Sequence, residues 1–184
     1  MIACACKKIF MGKQSSLGPI DPQIHGIPAH GVIEEFQRAR DEIKLDPSKI
    51  PVWQAVIAKY SPAFIGECEK AIKWSEEMVS EWLQTGMFKD VTKSDVQQKK
   101  IDEVVANLSD HALSKSHDRH LSFDRCKAFG LKVSRLEDSQ ELQDAVLSVH
   151  HASILTLSKT PAYKIIENHN GKAFIQIAHQ TVVQ

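Results

Sequence analysis

The stretch MIACACKKIFMGKQSSLGPIDPQ, Met1 to Gln23, decides how the rest of the chain reads. Met1 to Cys6 is rich in small residues and suits a tightly packed helix start. Lys8-Ile9-Phe10-Met11 reads as a short buried strand that Gly12 ends. Ser15 to Gln23 is extended: Pro19 and Pro22 lack an N–H and bias the residue before each away from helix. Such a segment lines a cleft better than it fills the middle of a sheet.

Outward from there, the chain is mostly helical. Gly26-Ile27-Pro28 is a turn, and Val32, Ile33, Phe36, Ala39 and Ile43 follow helical spacing. Asp46-Pro47-Ser48 breaks that pattern. Val52, Val56, Ile57 and Tyr60 mark a second helix, interrupted near Pro62. The clearest helix runs from about Ala63 to Gln84, on Ile65, Cys68, Ile72, Val79 and Leu83, with Gly86 as its stop. A polar helix spans about Ser94 to Leu108 and starts with a Ser-x-x-Gln box, Ser94 to Gln97. Another begins at Ser122 and closes at Gly130, followed by Leu131-Lys132-Val133. Ser139 to about Thr156 is amphipathic. Tyr163 to Ile166 and Ala173 to Ile177 flank Asn170-Gly171 and predict a β-hairpin.

The 184 residues suffice for one domain of ordinary size, and 42% hydrophobic with 25% charged residues is the composition of a soluble globular protein. A formal net charge of +0 argues against a general electrostatic grip on nucleic acid or an anionic membrane. No apolar run reaches the roughly 18–20 residues that span a bilayer. The apolar part of Met1 to Met11 is too short for a signal peptide, and Lys7-Lys8 lie inside it. The chain therefore reads as cytoplasmic, with no membrane span.

Cys4, Cys6, Cys68 and Cys126 fit neither a disulfide framework nor a zinc ribbon, and read as small buried thiols in a reducing compartment. His117-Asp118-Arg119-His120 puts two imidazoles three apart without a third ligand, so it reads as a solvated polar turn. His150 and His151 point to different sides of a helix and do not chelate together. His25 lies close enough to Asp21 in sequence to line the same cleft, although a surface position describes it better. No Walker loop, dinucleotide glycine fingerprint or Gly-x-Ser-x-Gly elbow is present, so no cofactor and no metal is implied. Ser15-Ser16 is not on a strand-to-helix elbow, and no base is evidently paired with it.

Three strings together resemble the SDH (serine dehydrogenase proteinase) family of Clp/crotonase-fold serine proteases, relatives of signal-peptide peptidases. They are Leu17-Gly18-Pro19-Ile20-Asp21-Pro22-Gln23; Tyr60-Ser61-Pro62 leading to Ile65-Gly66-Glu67-Cys68-Glu69-Lys70-Ala71-Ile72; and His120-Leu121-Ser122-Phe123-Asp124-Arg125-Cys126-Lys127-Ala128-Phe129-Gly130-Leu131. The likeness covers Met1 to Leu83 well and Ser116 to Val133 more loosely. It implies an α/β fold, here the C-terminal, mostly helical part of a Clp/crotonase-like unit with few strands and a C-terminal β-hairpin. Residues 1–135 would be a partial protease domain and residues 136–184 a helix-and-hairpin extension.

The family's nucleophilic serine sits on a turn that runs directly into the helix beginning here at Met1, so it is expected a few residues upstream. The resemblance then implies a serine peptidase that works by a Ser/Lys or related mechanism. Lys59 and Lys70 fall where a base would lie. Asp21 takes the place that a histidine occupies in Clp proteases, and would orient a base or bind substrate. Ser15, Ser16, Leu17 and Gly18 would form the strand edge that pairs with an extended polypeptide substrate, with Gly18 permitting close approach. Homo-oligomerisation is expected, and the isolated chain is expected to be inactive. The alternative is a non-catalytic oligomerisation or peptide-binding module derived from that fold.

Overall fold

A computed structural model describes residues 1–109 and 120–178. The chain is α/β, dominated by helices, with three small two-stranded sheets among the described residues. It divides into two compact units, Met1–Arg135 and Leu136–Gln184.

The first unit opens with a 3-10 turn, Ile2–Ala5, and strand β1, Ile9–Met11. β1 pairs in parallel with β4, Val133–Arg135, in the register Ile9↔Val133 to Met11↔Arg135. Its side chains alternate: Ile9 and Met11 are buried and Phe10 is exposed. The Gly26 turn is a two-residue hairpin loop between β2, Gln23–Ile24, and β3, Ile27–Pro28. His25 and Gly26 both take positive φ, 52° and 80°, which is the type I′ geometry.

Four longer helices follow: α1 (Ala29–Leu45), α2 (Ile50–Ile57), α3 (Phe64–Trp82) and α4 (Ser94–Ser109). The break at Asp46 is a cap, its carboxylate accepting from the Ser48 amide at 3.0 Å. Tyr60 joins α1 to α3. Its ring stacks on Phe64 and tilts against Phe36, and its hydroxyl donates to Glu35 on α1. That bond, with help from burial, raises the pKa of Tyr60 and keeps the hydroxyl protonated. The Tyr60-Ser61-Pro62 string is thus a helix–helix junction around a small core of Ala29, Val32, Phe64 and Cys68.

Gly86 does not stop the long helix. The helix continues as a π turn, Leu83–Met87, in which the Phe88 amide donates to the Leu83 carbonyl. The reason is close approach: a Cβ on Gly86 would stand 2.9 Å from the Ala5 carbonyl oxygen. We expect Gly86→Ala to destabilise the fold by about 1–3 kcal/mol, because the obstacle is backbone and cannot rotate away. The usual helical preference for alanine predicts the opposite sign. Urea unfolding of the two proteins decides between them; a gain in stability would refute the packing.

The Ser94–Gln97 capping box does not form. The Gln97 amide group instead donates to the carbonyls of Gln84 and Phe88, at 3.3 and 2.9 Å, and so ties α4 to the π turn. Those orphan carbonyls at a helix end outcompete a local cap. The main core gathers at this junction: Cys4, Ile9, Met11, Val79, Leu83, Met87, Ile101 and Val104 pack with Leu121, Cys126 and Leu131. The last three come from α5, Phe123–Ala128, and its flanks. Cys4, Cys68 and Cys126 are buried as expected, but Cys6 is exposed because it lies at the end of the 3-10 turn.

The second unit, described by itself, holds helix α6 (Gln140–Lys159) and the antiparallel hairpin β5 (Ala162–Glu167) and β6 (Ala173–Ile177). Ser139 caps α6 by accepting from the Leu142 amide at 3.3 Å. Gly171 closes the hairpin loop with φ 71°, while the Asn168 side chain accepts from the Asn170 and Lys172 amides. The hairpin stands where the Asn170-Gly171 signal put it. No helix among the described residues is long and apolar enough to cross a membrane.

Candidate functional site

The Ser15–Asp21 segment is held at two points. The backbone of Leu17 exchanges both hydrogen bonds with Leu121, at 3.1 and 2.8 Å, as an isolated antiparallel bridge. The Ile20 amide donates to the Leu108 carbonyl at the end of α4, at 2.9 Å, and the Ile20 side chain is buried. The segment is thus anchored at two points three residues apart, without being part of a named strand. Proline at 19 costs nothing here, since that position needs no donor.

The expected substrate edge is therefore half used by the protein itself. Leu17 spends its amide and carbonyl on Leu121, and successive residues of a strand direct these groups to opposite sides. The edge left open is that of Ser16 and Gly18, both exposed and neither making a backbone hydrogen bond among the described residues. A Cβ at Gly18 would meet nothing within 4 Å, so this flank is open. Ser15 turns inward: its hydroxyl accepts from the Gly12 amide at 3.0 Å and stabilises the turn after β1.

Ser16 has a partner that sequence spacing did not reveal. Its hydroxyl lies 3.1 Å from Nδ1 of His120, a residue 104 positions away. His120 is exposed and directly precedes the Leu121 bridge residue, so the bridge brings the two side chains together. A serine hydroxyl on an imidazole nitrogen is the pairing by which a base takes up or directs a hydroxyl proton. His120 is thus not merely part of a solvated turn. His117, Asp118 and Arg119, with Ser116, lie outside the described residues. The one sequence signal for the pair was the presence of His120 at the start of the third string.

Asp21 precedes Pro22, whose carbonyl accepts from the Ala29 amide at 2.9 Å. Asp21 and His30 therefore flank one backbone hydrogen bond, and both Asp21 carboxylate oxygens and His30 Nε2 are withdrawn from solvent. Lys59 follows α2 and Lys70 rides on α3; both are exposed. Among the described residues no hydrogen bond or ion pair links either lysine to Ser15–Asp21. The fold thus assembles Ser16, Leu17, Gly18 and His120 in one place. Burial pushes the Cys4 and Cys126 thiols up, which keeps both protonated and inert beneath the site. Among the described residues no group of three or more metal-ligating side chains occurs.

No protein-family model matches the chain, and no solved structure matches it. Over 134 residues it is 28% identical to Uncharacterized protein MJ1495 of Methanocaldococcus jannaschii, a match covering 73% of this chain and 37% of that protein. The chain thus aligns with well under half of its archaeal relative's length.

Proposed function

We propose that this chain is the C-terminal part of an SDH-type serine peptidase with a Clp/crotonase-like fold, acting within a longer polypeptide. One observation carries the reading. Two strings behind the resemblance, Leu17–Gln23 and His120–Leu131, lie far apart in sequence and are joined by the Leu17–Leu121 bridge. The parallel β1–β4 pair runs beside that junction, which lies next to the open edge of Ser16 and Gly18.

In this reading an extended polypeptide substrate adds along Ser16 and Gly18 by main-chain hydrogen bonds. A serine hydroxyl from the chain ahead of Met1 attacks the scissile carbonyl. A lysine takes the hydroxyl proton and returns it to the leaving amine, and backbone amides hold the oxyanion. Water then releases the acyl group. Lys59 and Lys70 are the candidates for that base, and the working form is a homo-oligomer.

That no hydrogen bond or ion pair among the described residues links either lysine to the Ser15–Asp21 segment favours a second reading, a peptide-binding or oligomerisation module without turnover. Alanine substitution within the longer polypeptide separates the two. Lys59→Ala or Lys70→Ala is expected to lower peptide turnover by about 10²–10⁴-fold, the usual worth of a general base. If neither lowers it, the base lies elsewhere; if the polypeptide turns over no peptide at all, the binding module stands.

A further inference from the structure

The second unit, taken by itself, carries more apolar surface than it can cover. None of the 20 residues of α6 is buried. Val146, Leu147, Val149, Ile154, Leu155 and Leu157 are 37–61% exposed along it. No Asp, Glu, Lys or Arg interrupts the helix between Asp144 and Lys159. A helix facing only water carries charges on its outer side, and one that is apolar around most of its circumference is built to be enclosed.

The hairpin repeats the pattern. Ile165 pairs with Ile175 and Ile166 with Phe174, so successive apolar pairs fall on opposite faces of the ribbon. α6 touches β5 where the chain runs from one into the other, and buries none of its own residues there. Tyr163, Ile166, Phe174, Ile175 and Ile177 remain 49–61% exposed. Among the described residues both apolar faces of the ribbon stay open.

We infer that residues 140–177 form a homodimer interface, covered by the same surface of a second copy. The area fits only if both faces are enclosed. Spread over α6 and the two faces of the hairpin, these eleven large side chains offer on the order of 800–1,000 Å² in all, about what each partner gives to a standard interface. The charge pattern fits as well. A two-fold axis lays a patch on itself, so like charges would face one another, and the run of α6 between Asp144 and Lys159, which has no Asp, Glu, Lys or Arg, avoids that repulsion. The inference stands independently of any peptidase activity.

Sedimentation equilibrium of the full chain over about 1–100 µM tests it. The expected mass at the upper end is that of a dimer. Val149→Glu with Ile154→Glu, or Phe174→Lys, should weaken association at least tenfold. Trp74→Glu, at an equally exposed apolar position of the first unit, should leave it unchanged. A chain that stays monomeric throughout, or a dimer indifferent to all the substitutions in the second unit, overturns the inference. If a charged variant fails to fold, hydrogen exchange of the unaltered chain replaces it. Amides of α6 and the hairpin should then exchange more slowly as concentration rises, and no concentration dependence overturns the inference.

Discussion

Leu83→Ala is expected to cost about 2–5 kcal/mol of folding stability, the range for emptying a fully buried leucine site. Leu83 is 0% exposed and is the first residue of the π turn. It belongs to the cluster that gathers Cys4 from the N-terminal turn, Ile9 and Met11 from β1, Ile101 and Val104 from α4, and Leu121 and Cys126 around α5. Collapse around the lost atoms is hindered on two sides. Gly86 already lies against the Ala5 backbone, and the Met87 sulfur accepts a hydrogen bond from the Lys132 amide at 3.2 Å. Unfolding in urea measures the loss. Trp74→Ala, at 65% exposure, serves as the comparison and should stay within about 0.5 kcal/mol. A loss below about 1 kcal/mol for Leu83→Ala would mean that this junction is not the centre of the fold.

Gly18→Pro should leave the fold intact and weaken peptide binding about tenfold, equivalent to roughly 1.4 kcal/mol, the upper range for one hydrogen bond. Gly18 does not take a positive φ, and its surroundings leave a Cβ free of contacts. Its amide makes no bond within the described residues, so folding loses nothing when proline removes that donor. Leu17, which would then precede a proline, is already extended in its bridge. The unfolding midpoint should therefore stay level or rise slightly, because proline restricts the unfolded chain. Peptides from a casein digest, followed by fluorescence anisotropy, are a suitable ligand pool. Undiminished binding would show that the Ser16–Gly18 edge is not where peptides lie.

Helix positions were legible in the sequence wherever apolar spacing carried the information. Val32, Phe36 and Ala39 on α1, and Cys68, Ile72 and Val79 on α3, are read from one turn to the next, and these faces pack inward. The hairpin was legible because Asn170-Gly171 encodes its turn locally. What escaped depends on partners distant in sequence. Gly86 looks like a helix stop until the backbone of Ala5 is laid against it, and Gln97 looks like half of a capping box until two unsatisfied carbonyls, at Gln84 and Phe88, come within reach. The pairing of β1 with β4 has no local signal, and neither does the meeting of Ser16 with His120. Ser15 to Gly18 could be read as extended from the prolines that follow, but which edge stays open is settled by Leu121.

The proposed function would make this chain the substrate-binding part of a peptidase whose nucleophile is supplied by other residues of a longer polypeptide. A fluorophosphonate probe, which esterifies activated serine hydroxyls, tests it on the polypeptide isolated from its source, with the labelled residue located by peptide mass mapping. The predicted result is one labelled serine on the N-terminal side of Met1, and no label on residues 1–184 expressed alone. Label on Ser16, lost in His120→Gln, would contradict the account by making the Ser16–His120 pair the nucleophile and base. The absence of any labelled serine would contradict it too, and would leave a peptide-binding fold without hydrolytic chemistry.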